Sequence, residues 1–219
     1  MYLFIKRVMD LLGSLLGIVL LSPLFLVIIF LIWTQMGRPI IFKQLRPGFR
    51  GKPFYIYKFR TMTNAKDSSG ILLSDDQRMT TVGKWLRKTS LDELPEFINV
   101  LKGEMSLIGP RPLLMQYLTR YNSEQARRLN IKPGITGWAQ INGRNSINWE
   151  EKFALDVWYV DNWSLWLDLK ILFQTVIIVL GRKGINAEGS ATMPEFMGSS
   201  IIANGLGHVQ AAATEEIEH

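Results

Sequence analysis

From Leu11 to Thr34 the chain carries no charged residue. Such a run is long enough to cross a bilayer core, which takes roughly 20 apolar residues. It dictates one long helix and ties whatever follows to a membrane surface. Lys6 and Arg7 precede it, so a signal peptide has to be considered, but no small-x-small cleavage pattern follows. The segment is therefore expected to stay as an anchor. Ser22-Pro23 lies in the middle of the run. Pro23 has no N–H to donate, which leaves the carbonyl of Val19 without its helical partner and predicts a bend. Ser22 is expected to bond back to the carbonyl of Ile18 and deepen that bend. Cations flank both ends: Lys6 and Arg7 before, Arg38, Lys43 and Arg46 after. The positive-inside rule puts both flanks on the cytoplasmic side. A helix that breaks at Ser22-Pro23 and re-enters satisfies this. An ordinary kinked span is the alternative that these residues alone leave open.

The remaining chain is long enough for one sizeable core. Of 219 residues, the charged ones leave a net charge of +6. That suits an anionic partner: nucleic acid, anionic lipid or a phosphorylated substrate. There is no cysteine, which excludes thiolate nucleophiles, disulfides and Cys-ligated zinc. The only histidines are His208 and His219, both in the tail, so a histidine general base in the folded part is not expected. Chemistry must come from carboxylates, cations, hydroxyls and backbone. The cations are scattered and no nucleic-acid module is recognisable, so no nucleic-acid role is expected.

The β-branched and aromatic stretches Ile40–Phe42 and Phe54–Phe59 read as two short strands around a turn-rich loop. Val82–Lys88 reads as a short basic helix, and residues 64–77 as a polar, mobile loop. Residues 88–102 hold the pair Asp92-Glu93. Leu91, Leu94, Ile98 and Leu101 recur at helical spacing and predict one apolar face. Pro95 belongs in the first turn, where its missing N–H is harmless. Two readings of the pair stay open here. Ser90-Leu91-Asp92-Glu93 fits a capping box with Ser90 as N-cap. Alternatively, a helix start stabilises an ionised aspartate and a bound phosphate, and Asp92 is then a nucleophile toward phosphorus beside a metal-binding Glu93.

Gly103 is expected to close that helix. Gly109-Pro110-Arg111-Pro112 has a stiff backbone that presents one guanidinium with little entropy to lose. Leu113–Leu129 reads as an amphipathic helix, and residues 132–138 as a Gly-rich loop that lets a backbone approach a ligand. Trp149–Asn162 and Leu165–Leu180 read as helices. The second is apolar enough to lie at a membrane interface or fill the core. Trp149, Trp158, Trp163 and Trp166 suit either a headgroup-level belt or core packing. The stretch after Gly198 reads as a frayed tail.

In fixed order, several pieces resemble the small monotopic polyprenyl-phosphate phosphoglycosyltransferases, the bacterial sugar transferase family. They are Lys6-Arg7 with Asp10, Ser22-Pro23, Arg46-Pro47-Gly48, Tyr57-Lys58-Phe59-Arg60-Thr61-Met62 and Ser90-Leu91-Asp92-Glu93-Leu94-Pro95. Further along come Asn99-Val100-Leu101-Lys102-Gly103, Gly109-Pro110-Arg111-Pro112, Pro133-Gly134-Ile135-Thr136-Gly137 and Asn142-Gly143-Arg144-Asn145. Within the family the likeness is nearest to the transferases acting on UDP-N,N'-diacetylbacillosamine.

The resemblance implies a mainly helical α+β fold. Residues 1–36 form a re-entrant membrane helix broken at Ser22 and Pro23. Residues 37–198 form a cytoplasmic catalytic domain with a short β-hairpin and amphipathic interfacial helices, and 199–219 are a flexible tail. It also implies transfer of a sugar 1-phosphate from a UDP-sugar to undecaprenyl phosphate at the cytoplasmic face of a bacterial inner membrane. UMP is released through a phosphosugar intermediate on Asp92. Glu93 is implied as the Mg²⁺ ligand, and Lys58, Arg87, Arg111, Arg144 and Asp168 as active-site contacts to phosphate or nucleotide. Two other readings remain: a membrane-attached glycosyltransferase releasing UDP, and a non-enzymatic membrane adaptor in which Asp92 only caps a helix.

Overall fold

The computed structural model describes residues 2–143, 147–181 and 195–198. It is mainly helical with two small sheets. The apolar run forms α1, Tyr2–Met36, one continuous helix with Pro23 inside it. Ser22 Oγ donates to the carbonyl of Val19 at 2.8 Å. The sequence points to Ile18 as the acceptor, but Val19 is the carbonyl that Pro23 leaves unpaired, so the hydroxyl goes there.

Strands β1 (Ile41–Pro47) and β2 (Pro53–Phe59) form the expected hairpin, with Ile41 opposite Phe59 and Pro47 opposite Pro53. The polar segment that follows is not a featureless loop. Asp67 Oδ1 accepts from the amides of Ser69 and Ile71, and a single helical turn, α2, spans Asp75–Arg78. The basic helix α3 runs Thr81–Thr89 with Thr80 as a bonded N-cap. Its Gly83 lies so close to β2's continuation that a Cβ there would sit 1.9 Å from the carbonyl oxygen of Thr61.

Helix α4, Glu96–Lys102, begins later than the capping-box reading expects. Ser90 instead closes α3 in the left-handed conformation (φ 56°), with its N–H turned back to the carbonyls of Arg87 and Leu86. A 3₁₀ turn, Leu91–Glu93, follows, and Ser90 makes no side-chain cap. The apolar face also differs: Ile98 is exposed, whereas Asn99 and Val100 are fully buried. Starting α4 after Pro95 rotates its inward face by the residues lost from its first turn. Gly103 ends α4 at φ 82°, as expected.

Strand β3 (Ser106–Ile108) pairs in parallel with β4 (Gly134–Thr136). The Gly-rich stretch is thus partly a strand. Its close approach is to protein backbone, since a Cβ on Gly134 would lie 2.1 Å from the amide of Gly109. The single helix expected over 113–129 is broken into a 3₁₀ turn at Met115–Tyr117, α5 at Ser123–Ala126 and a 3₁₀ segment at Arg127–Asn130. Asn122 is the reason for the restart, because its side chain accepts from the Gln125 amide and opens a new helix. Helices α6 (Trp138–Asn142), α7 (Trp149–Asn162) and α8 (Leu165–Gly181) complete the order.

Among the described residues the core has four parts. Ile28 and Ile32 of α1 meet Phe59 and Leu86; Phe54 and Ile56 meet Val100 and Met105. Ile108 meets Tyr159, Leu167 and Ile171; Leu113 and Tyr117 meet Phe153 and Phe196. The tryptophans divide: Trp149 and Trp163 pack against core clusters, while Trp166 and Trp158 are exposed. Trp166, Leu169, Phe173, Val176 and Ile177 leave one side of α8 apolar and exposed.

Candidate active site

Asp92 and Glu93 lie on the 3₁₀ turn between α3 and α4. The hairpin is held to α4 by Asn99, whose Oδ1 accepts from the Tyr57 amide at 3.0 Å. Its Nδ2 donates to the Tyr55 carbonyl at 2.7 Å. One buried amide thus satisfies the free edge of β2 and fixes the neighbouring Lys58 over the turn. Lys58 Nζ reaches Glu93 Oε1 at 2.6 Å. Across the site, Arg111 grips Glu93 through both terminal nitrogens, the stiff Gly-Pro-Arg-Pro backbone aiming its fork as expected. The partners that the capping reading assigns to Glu93 are therefore outcompeted by two cations.

Glu96, on the first turn of α4, is a third carboxyl. It is 1% exposed, and its Oε1 stands 3.3 Å from Lys58 Nζ without hydrogen-bond alignment. Burial pushes Asp92 up to about 6, reinforced by the charge of Glu93 and opposed by Lys58, Arg111 and Arg87. Burial acts on Glu93 in the same sense, but Arg111 and Lys58, by charge and hydrogen bonds together, hold it well below the usual carboxylate range. Glu96 is raised to about 8, first by burial and then by Glu93. Of three neighbouring carboxyls only Glu93 is held firmly ionised, which limits their mutual repulsion.

Arg87 comes from the last turn of α3, its Nε bonded to Thr61 Oγ1 at 3.2 Å, and its charge bears on Asp92. Arg46 of β1 donates to Gln44 Oε1, while its buried Nε makes no hydrogen bond. Burial and then the adjacent Arg111 lower Arg46 to about 10. Lys152 of α7 is lowered to about 8 by burial and then by Arg111. The turn is therefore ringed by cations, an arrangement that draws in phosphate oxygens beside a partly shielded carboxylate. Neither Glu96 nor Lys152 has a local signature in the sequence. Arg46 stands in a motif but carries no legible role there.

Asp168 belongs to a different network. Its carboxylate accepts from Lys6 Nζ at 2.6 Å, Tyr159 OH at 2.5 Å and Trp163 Nε1 at 3.1 Å. None of these partners touches Asp92 or Glu93 among the described residues. Lys6 also donates to the carbonyl of Ile108 at 3.1 Å, at the base of the arginine loop. The described contacts of Asp168 thus anchor α1 to α7 and α8. Arg144 lies outside the described residues. Among the described residues no group of three or more His, Asp or Glu side chains is placed to hold a metal. Glu93, an ionised oxygen donor, nevertheless fits Mg²⁺, which takes one or two protein carboxylates and completes its shell with water and phosphate.

The sequence profile of the family described as bacterial sugar transferase matches residues 1–182. The chain is 54% identical over 202 residues to an uncharacterized sugar transferase, EpsL, of Bacillus subtilis, covering 92% of this chain and 100% of that protein. It is 40% identical over 198 residues to the undecaprenyl-phosphate galactose phosphotransferase of Salmonella typhimurium (83% of this chain, 41% of that one). It is 45% identical over 181 residues to the UDP-glucose:undecaprenyl-phosphate glucose-1-phosphate transferase of Klebsiella pneumoniae (78% and 39%). The chain thus spans about two fifths of the length of the latter two. A match over most of its length, with the motif carboxylates and cations gathered at one turn, means that the chain belongs to the bacterial sugar transferase family.

Proposed function

We propose that this chain transfers a sugar 1-phosphate from a UDP-sugar to undecaprenyl phosphate, with release of UMP, at the cytoplasmic face of a bacterial inner membrane. The observation that carries this reading is the ring of Lys58, Arg87 and Arg111 around the Asp92-Glu93 turn. Two relatives, the galactose phosphotransferase and the glucose-1-phosphate transferase described above, support the same reaction class.

In the first half-reaction a carboxylate oxygen of Asp92 attacks the β-phosphorus of the UDP-sugar. The bond to the bridging oxygen breaks, and its electron pair leaves with UMP. In the second, an oxygen of undecaprenyl phosphate attacks the same phosphorus and the Asp92 carboxylate departs. Transfer of this kind depends mainly on positioning and charge neutralisation, so a site without histidine is adequate. Lys58 and Arg111, which hold Glu93, are the cations that diphosphate oxygens compete for. Mg²⁺ held by Glu93 would supply further neutralisation of the diphosphate charge. The sugar is tested directly with UDP-galactose, UDP-glucose and UDP-N,N'-diacetylbacillosamine as competing donors.

The same reading makes α1 re-entrant, with α8 lying at the interface. Support comes from both halves of α1 packing on one body. Lys6, Arg7 and Asp10 bond to α8, α4 and β3, while Ile28 and Ile32 pack on Phe59 and Leu86. A straight helix of this length would extend about 50 Å. Because the chain has no cysteine, single cysteines placed before Lys6 and after Met36 report topology cleanly. Both are expected to react only from the cytoplasmic side; labelling of the two from opposite sides would refute re-entry.

The deciding experiment for the chemistry is Asp92→Asn. It is expected to abolish UMP release while leaving the protein folded and membrane-bound. Full turnover by that variant would overturn the nucleophile assignment. Release of UDP by the unaltered chain would favour a glycosyltransferase.

A further inference from the structure

The arginine that grips Glu93 is itself held from behind. Arg128, on the 3₁₀ segment after α5, and Asp156, on α7, form an ion pair with side chains 2% exposed on both partners. Arg128 Nε and Nη2 reach Asp156 Oδ2 at 3.0 and 2.7 Å. Nη2 also donates to the main-chain carbonyl of Arg111 at 2.7 Å, and Nη1 approaches Tyr121 OH at 3.4 Å. The neighbouring carbonyl, Pro110, accepts from the amide of Gly134 at 3.0 Å. Two consecutive carbonyls of the arginine loop are thus fixed, one by β4 and one by a buried guanidinium.

A buried ion pair of this kind is poor evidence of stabilisation, because desolvating two charges offsets most of their attraction. Its best-attested use is to select one arrangement. Here the arrangement selected is that of a loop whose only charged side chain reaches the reacting turn. Pro110 and Pro112 restrict the backbone around Arg111, but they leave the rotation of the whole loop about its base undetermined. A donor on the Arg111 carbonyl removes that freedom. Asp156 fixes the Arg128 fork by taking two of its nitrogens, so the third interaction has one available direction.

We propose that Arg128, oriented by Asp156, is a positioning residue that sets the guanidinium of Arg111 for the donor diphosphate. The proposal rests on the phosphoglycosyltransferase reading above. It also requires that Arg128 act through Arg111 and not merely through the fold.

The test is a double-mutant cycle read in kcat/KM for the UDP-sugar, following UMP release by the full-length chain in membranes. Arg128→Lys keeps the charge beside Asp156 and loses the fork. It is expected to lower kcat/KM at least tenfold when Arg111 is present. In an Arg111→Ala background the same change is expected to alter the remaining rate less than twofold. An equal loss in both backgrounds would reduce Arg128 to a structural role and overturn the proposal. Where Arg128→Lys does not accumulate as folded protein, Asp156→Asn is put through the same cycle, with the same pair of outcomes. If the unaltered chain releases no UMP from any UDP-sugar, the reaction itself has been misassigned. If it does and the cycle is additive, only the positioning role fails.

Discussion

Glu96 is a residue whose protonation is set by its surroundings. Raised to about 8 against an ordinary value of 4.5, it binds its proton more tightly when folded than when unfolded. The stability it contributes is therefore fully present below about 4.5 and is lost as pH rises toward 8. Glu96→Gln mimics the protonated side chain. The variant's melting temperature is expected to gain on the unaltered protein by several degrees between pH 5 and pH 8, without substrate or metal. A constant difference across that range would show that Glu96 is ionised throughout. Arg111 makes the complementary point about geometry. Its paired nitrogens on one carboxylate are a use of the planar fork that a lysine cannot copy. Arg111→Lys is expected to lower kcat/KM for the UDP-sugar about tenfold or more, with little change in melting temperature. Retention of full kcat/KM would mean that charge alone suffices.

At the scale of single elements, two close approaches govern how the site is held. Helix α3 can lie against the chain after β2 only because residue 83 has no side chain. Gly83→Ala forces backbone apart and is expected to destabilise by about 3 kcal/mol, the upper range for overpacking. Arg87 lies one turn further along α3, so donor kcat/KM should fall with it. Wild-type melting behaviour would show that α3 can shift freely. In α1 the Ser22 hydroxyl replaces the donor that Pro23 lacks. Helix α4 is closed by another part of α1, since Arg7 donates to the carbonyls of Val100 and Leu101 at 2.6 and 2.8 Å. Those carbonyls are among the four that a helix end leaves open.

Over the whole molecule, α1 is a structural partner of the catalytic body along its length. Lys6–Asp168, Arg7 on α4, and Asp10 accepting from Ser106 Oγ and the Leu107 amide at 2.9 Å tie one half down. Gly17 lies against Phe97, and Ile28 and Ile32 complete the contact. Removing one partner of a buried pair leaves the other charge uncompensated, so Asp168→Ala is expected to destabilise by about 3 kcal/mol. In Lys6→Met the same change should cost less, the remainder being the lost bonds from Tyr159 and Trp163. Thermal unfolding of the four proteins in lipid gives the coupling directly; simple additivity would mean that α1 is not docked through this pair.

The order of residues alone specifies the apolar helix, the hairpin, Gly103 as the end of α4, and the family to which the motifs point. Each of these is a local pattern or an ordered string, and neither depends on what lies across the fold. It misplaced the start of α4, because a Ser-x-x-Glu spacing reads as a cap only while no cation competes for the glutamate. The competitors sit 35 and 18 residues away, on β2 and on the arginine loop. The pairing of Asp168 with Lys6 joins residues 162 positions apart. Glu96, Asn99 and Arg128 gain their roles only through burial beside groups from other elements. Tertiary structure alone decided these, since charge pairing and desolvation depend on distance in space, and distance along the chain does not fix it.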